Sequence, residues 1–162
     1  MNMHKTGIGR DIHKLVPDRK LFLGGIEIPH EKGLLGHSDG DVLCHAIIDA
    51  ILGACAMGDI GELFPPSDLQ WKNANSLMML KKTWDLVREK GWQLVNLDTI
   101  IICESPKILP LREKIRSSLA NVLETENENV FVKGKTNEGM GDIGKGEAIE
   151  ALAICLLEKE EK

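Results

Sequence analysis

The sequence predicts an α/β fold, an α+β sandwich in which helices pack on one face of a mixed sheet. Three observations lead there. Short apolar, β-branched runs alternate with longer segments whose apolar residues recur every three or four positions. Glycine and proline punctuate most of the junctions between them. The 162 residues are 43% hydrophobic and 28% charged, which suits one domain over 1–162 with a core large enough to need no disulfides.

Residues 3–12 predict a strand that leads into Asp11 and His13. Residues 20–28, KLFLGGIEI, are two apolar pieces around Gly24-Gly25 and predict a hairpin that Pro29 and Gly33 end. A helix is expected from an N-cap at Ser38 or Asp39 to about Met57, with Gly58 as its stop. Residues 58–70 have the composition of a loop. Over residues 73–90, Leu77, Leu80, Trp84 and Val87 have helical spacing, and Gly91 closes the helix. Residues 94–103 read as a buried strand. Ser105-Pro106 is expected to open a third helix, with proline in its first turn. Residues 129–135 predict another strand. After a glycine-rich turn, residues 146–158 are expected to form a last helix, because AIEALAICLL is apolar almost all the way round.

The net charge of -5, with no basic block and only three scattered tryptophans, points away from nucleic acid. No apolar run is long enough to span a bilayer, and the start MNMHKTGIGRD has no apolar core of a signal peptide. The four cysteines, Cys44, Cys55, Cys103 and Cys155, show no metal or redox spacing. A cytoplasmic protein with free thiols is therefore expected, without nucleic-acid or membrane partners.

The chemistry concentrates in "GHSDGDVLCHAIIDA", residues 36–50. Asp11 and His13 are two apart, so on a strand they leave the same face. His45 lies within the first helix, and Asp49 follows one turn later, where it could accept the ring's second N–H. Asp11, His13 and His45 would offer two nitrogens and a carboxylate, the donor set of an open zinc site and also compatible with iron or manganese. A core histidine, a turn aspartate and a surface histidine would explain the same residues one at a time. His37 and Ser38 precede the helix, where an anion could sit, although Ser38 could equally be a simple cap.

Residues 139–146, GMGDIGKG, fit GxGxxG and come within one residue of a P-loop. Context argues against both. Gly146 stands where the magnesium-binding Ser/Thr belongs, and no strands are expected downstream. A glycine-rich turn is the better reading.

GIGRDIHKL, GGIEIP, GLLGHSDGDVLCHAIIDAILGACAMGDIGELFP, SPKILP and GKGEAIEA follow one another along the chain. In this the sequence closely resembles the 2-C-methyl-D-erythritol 2,4-cyclodiphosphate synthases of the non-mevalonate isoprenoid route. The resemblance implies intramolecular attack of a 2-phosphate on the β-phosphorus of a cytidine diphosphate ester, with loss of CMP. It implies a homotrimer with sites between subunits, zinc on Asp11, His13 and His45, and magnesium or manganese on Glu138. His37 and Ser38 match the phosphate-positioning pair, and His37 and Thr136 match the catalytic positions. Asp59, Ile60 and Gly61 match the segment that holds the erythritol hydroxyls, and residues 64–72, with Phe64, Asp68 and Lys72, match the flap. Residues 103–109, with Cys103, Pro106, Lys107, Ile108 and Leu109, match the cytidine pocket, and Lys135 and Thr136 match the phosphate contacts. Asp142 and Lys145 stand where many members have an aromatic residue and an arginine beside an isoprenoid diphosphate on the trimer axis. That binding is expected to be weakened or absent here. Two further departures are Lys135 and Asn137 around Thr136, in place of a threonine run, and Pro66, where an acidic residue is common in the flap. A metal-dependent phosphohydrolase and a trimeric binding protein with a decayed site are the competing readings.

Overall fold

The computed structural model describes residues 1–160. Its elements are β1 (Asn2–Pro17), β2 (Leu21–Leu23), β3 (Ile26–Ile28), β4 (Lys32–Leu34), α1 (Val42–Ala54), α2 (Ile60–Leu63), α3 (Ser76–Glu89), β5 (Gln93–Ile102), α4 (Arg112–Val122), β6 (Val130–Lys135), α5 (Gly141–Gly144) and β7 (Ala148–Glu160). The main sheet is mixed, in the order β4-β1-β7-β5-β6, with only β5 and β6 parallel. β2 and β3 form the expected hairpin, turning at Gly24 and Gly25 with φ of 61° and 78°. Two positive φ values are what a type I′ two-residue hairpin turn requires.

α1 carries the core. Eleven of its residues are buried, and it lies across β1 and β7. The close approach is a glycine effect. A Cβ on Gly7 would stand 1.8 Å from the Ala50 carbonyl oxygen, and one on Gly9 would stand 1.8 Å from that of Ala46. Gly7, Gly9, Asp11 and His13 share one face of β1. The first two admit the helix, and the next two meet it.

Three expectations are corrected. Residues 146–158 are not a helix. They form most of β7, in which Ile149, Ala151, Ala153, Cys155 and Leu157 are buried against the helices. The segment looks apolar all round because its other face, Leu152, Ile154 and Leu156, is apolar too, and two apolar faces erase the alternation that marks a strand. Ser105-Pro106 opens no helix. Residues 109–111 make a 3₁₀ turn containing Pro110, and α4 begins at Arg112. Pro110 sits inside that turn, among its first residues, where its missing N–H has no partner to lose, so the proline expected at a helix start is Pro110 and not Pro106. The N-cap of α1 is Asp41, not Ser38 or Asp39. Gly40, at φ 75°, keeps the preceding residues out of the helix. The Asp41 carboxylate accepts from the N–H of Cys44 (3.1 Å), Gly24 (3.0 Å) and Gly25 (2.7 Å), so one buried acid caps α1 and ties the hairpin to it.

The expected strand over 3–12 runs on to Pro17, which leaves Asp11 and His13 in mid-strand. The 58–70 stretch contains the short α2 and a 3₁₀ turn at Leu69–Trp71. No helix among the described residues is long and apolar enough to cross a membrane.

Candidate metal centre

Asp11 and His13 leave β1 toward α1, and His45 leaves α1 toward them. Asp11 Oδ2 lies 2.8 Å from His13 Nε2 and 2.9 Å from His45 Nδ1, and those two nitrogens are 3.3 Å apart. Among the described residues, this is the one cluster of three or more His, Cys, Asp or Glu side chains close enough to share an ion. Burial works against the Asp11 charge, but hydrogen bonds from both rings outweigh it and hold the carboxyl at about 2. Burial likewise opposes the His13 charge, yet the bond to Asp11 prevails and raises its pKa. The arrangement fits a divalent metal: two imidazole nitrogens and an ionised carboxylate oxygen converge on one point, with no cation side chain among them. His13 Nδ1 faces the Leu35 carbonyl oxygen at 2.7 Å. Donation to that carbonyl from Nδ1 makes Nε2, which meets Asp11, the nitrogen that would offer its lone pair to a metal.

The cluster opens into a cavity of about 220 Å³ whose walls include His37, Ser38, Asp49, Gly61, Phe64 and Trp71. A larger cavity of about 820 Å³, near Trp92 and Lys159 at the far end of the sheet, contains none of the three residues. Asp49 shares the cavity, but it is not the partner of His45. Its Oδ1 accepts from the Ile60 N–H at 2.8 Å, and the outward nitrogen of His45, Nε2, meets Ser76 Oγ at 2.8 Å. Burial first, then the Asp59 and Asp11 charges, raise the Asp49 pKa against the Ile60 bond.

The other expected residues divide into two groups. His37 is exposed at the cavity mouth, and its carbonyl accepts from Asn73 N–H at 2.8 Å. It precedes the α1 N-cap, Asp41, in the loop before the helix, as expected. Ser38 is buried with its hydroxyl 3.1 Å from His45 Nε2. Ile60, Gly61 and Phe64 line the cavity, while Asp59 caps α2 by accepting from Glu62 N–H. Asp68 caps the Leu69–Trp71 turn, and exposed Lys72 follows it.

The second group gathers at the ends of β5 and β6 and lines no part of that cavity. Cys103 N–H donates to Lys135 O, and its thiol contacts Pro106 O at 3.3 Å. Ile108 packs on Gly134, where a Cβ would meet it at 2.6 Å, between exposed Lys107 and Leu109. Glu138 has φ 52° and an exposed side chain, with Thr136 Oγ1 3.4 Å from its Oε1. Asp142 and Lys145 face each other on the surface, 4.0 Å apart. Asp39, Ser76 and Met79 are site or wall residues that sequence reasoning left without such a role, and Trp71, a wall residue, falls within the expected flap. Ser76 reads only as a helix-start residue, and nothing in its spacing pairs it with His45.

The YgbB family profile matches residues 4–158. A 2-C-methyl-D-erythritol 2,4-cyclodiphosphate synthase of Treponema denticola is 57% identical over 153 residues, 94% of this chain and 95% of its own. One of Nostoc punctiforme is 51% identical over 99% of this chain and all of its own. Among solved structures, a CDP complex of the Plasmodium falciparum IspF is 37% identical with a TM-score of 0.87, covering 99% of both chains. The bifunctional IspDF of Campylobacter jejuni is 40% identical with a TM-score of 0.95. There the match covers 99% of this chain and 44% of that longer one. With its profile matched almost end to end, and the acid–histidine cluster of GIGRDIH and HSDGDVLCH assembled, the chain belongs to the YgbB family.

Proposed function

We propose that this chain converts 4-diphosphocytidyl-2-C-methyl-D-erythritol 2-phosphate to 2-C-methyl-D-erythritol 2,4-cyclodiphosphate and CMP, in isoprenoid precursor synthesis. An oxygen of the 2-phosphate bonds to the β-phosphorus, and the bond from that phosphorus to the CMP oxygen breaks. The convergence of Asp11, His13 and His45 beside a cavity carries the reading, together with relatives at half identity or more that bear this name.

The nucleophile is already an anion, so the protein's task is to align two polyanionic groups rather than to remove a proton. Zinc held by Asp11, His13 and His45 supplies positive charge for developing phosphate oxygens, and magnesium at Glu138 does the same for the diphosphate. His37, at the cavity mouth, and Ser38 orient the 2-phosphate end, and Asp59, Ile60 and Gly61 hold the erythritol hydroxyls. Phe64, Asp68 and Lys72 cover the substrate. Cys103, Pro106, Lys107, Ile108 and Leu109 receive cytidine, with Lys135 and Thr136 on its phosphates. Intramolecular attack supplies proximity.

The two residue groups belong to one site if it forms between copies of the chain. A homotrimer built on the helix-free sheet face would supply this. Support comes from that face itself, where Ile8 is 67% and Ile154 54% exposed, on paired strands. We place the enzyme in the cytoplasm. Asp142 and Lys145 in the glycine-rich turn weaken any isoprenoid-diphosphate site there.

Phosphorus NMR of the protein with substrate, zinc and magnesium tests the reading. Cyclic diphosphate with CMP is expected, and His45→Ala should lower turnover at least 100-fold. Open-chain phosphate with CMP would identify a hydrolase instead.

A further inference from the structure

His45 enters the cluster through Nδ1, and its other nitrogen is buried behind it. Nε2 lies 2.8 Å from Ser76 Oγ and 3.1 Å from Ser38 Oγ. Ser76 is completely buried, and its hydroxyl makes a short bond to Asp39 Oδ1. The same Asp39 carboxylate accepts from the Asp41 N–H on Oδ1 at 3.1 Å and from the Ser76 N–H on Oδ2 at 3.0 Å.

These contacts fix a direction. A carboxylate only accepts, so the single proton of the Ser76 hydroxyl is committed to Asp39. Ser76 Oγ is left as an acceptor toward His45. An unprotonated Nε2 would set two lone pairs against each other at 2.8 Å. With a metal in place of the Nδ1–Asp11 bond, His45 therefore keeps its proton on Nε2 and offers its Nδ1 lone pair to the ion beside Asp11 and His13. Ser38 does not alter this, because its hydroxyl, 3.3 Å from Ser76 Oγ, can supply the remaining lone-pair needs of either neighbour.

We propose that Asp39 and Ser76 are positioning residues for the metal: a carboxylate–hydroxyl–histidine relay that selects the binding tautomer of His45 and holds its ring. The Leu35 carbonyl does the equivalent for His13. The relay starts in the loop before α1 and passes through the first residue of α3, so it also ties metal affinity to the seating of α3. The inference rests on the reading of Asp11, His13 and His45 as a metal site.

Ser76→Ala is the cleanest test, because it keeps the backbone N–H that Asp39 Oδ2 accepts and removes only the hydroxyl. Zinc affinity of stripped protein is measured by chelator competition, beside the melting temperature of the metal-free protein. Zinc affinity is expected to fall about 10- to 100-fold, the usual effect of losing an outer partner of a metal-bound histidine. The metal-free melting temperature should be nearly unchanged, and Ser76→Thr should recover most of the affinity. Wild-type affinity in Ser76→Ala would overturn the relay and leave the metal site standing. Affinity loss that tracks an equal loss of metal-free stability, without rescue by threonine, would also overturn it. A wild-type protein that binds no zinc would sink the metal reading and the relay with it. Should Ser76→Ala fail to fold, Asp39→Asn carries the test, with the same expected fall and with unchanged affinity as the overturning result.

Discussion

Single side chains in this protein are used through the direction of their hydrogen bonds. Asp41 and Asp39 lie two apart in one loop, yet they face different tasks. The first gathers three backbone N–H groups to cap α1 and hold the hairpin, and the second receives Ser76 behind His45. The shared face of Asp11 and His13 was legible from spacing alone, because a strand turns every second residue to one side. The partner of His45 was not. An i,i+4 acid one helical turn away looked sufficient, but the ring nitrogen that needs a partner points toward α3, and Asp49 is occupied by Ile60. Cys103 is another residue whose character comes from its surroundings. Burial, and then the Glu104 charge, push its thiol up to about 11, so at neutral pH it is a protonated wall group. Its labelling by iodoacetamide at pH 7.5 should run on the order of 100-fold slower than that of a free thiol, and should rise with pH toward 11, because only the thiolate reacts. Labelling at the free-thiol rate would show an ionised thiol and would contradict the packing described.

At the level of elements, the contact between β1 and α1 governs the candidate metal centre. Gly7 and Gly9 let the helix backbone rest on the strand, and that distance brings His45 onto Asp11 and His13. Gly9→Ala would force its methyl into the Ala46 carbonyl, one residue from His45. The helix must lift, at a cost of about 3 kcal/mol, the upper range of overpacking. A lowered melting temperature together with weakened metal binding is expected, read by calorimetry and by chelator competition. Wild-type values for both would refute the contact. The alternation Gly7, Gly9, Asp11, His13 stood in the sequence as a strand pattern, but its meaning required knowing which element lay on top. The helices over 42–54 and 76–89 and the strands over 93–102 and 130–135 were legible from periodicity and punctuation. β7 was not, since burial on one side and apolar exposure on the other hid its period of two.

For the whole molecule, the sheet has two unlike faces. One is covered by helices, and the other presents Ile8, Ile12 and Ile154 to solvent beside the Arg10–Glu150 and Asp98–Lys133 pairs. A trimer built on this face should be lost when charge is placed at its middle. Ile154→Glu is expected to sediment as a monomer and to lose turnover while still binding a divalent metal, because Asp11, His13 and His45 come from one chain. A wild type that sediments as a monomer, fully active, would remove the inter-subunit site. The sequence by itself determined the class of fold, the family resemblance and the candidacy of Asp11, His13 and His45, because strand and helix periods and long motifs are local properties. Only the tertiary structure decided that the last long segment is a central strand, that Ser76 and not Asp49 stands behind His45, and that the expected site residues form two separate groups. Those outcomes depend on which elements pack together, and packing partners distant in the chain leave no trace in local spacing.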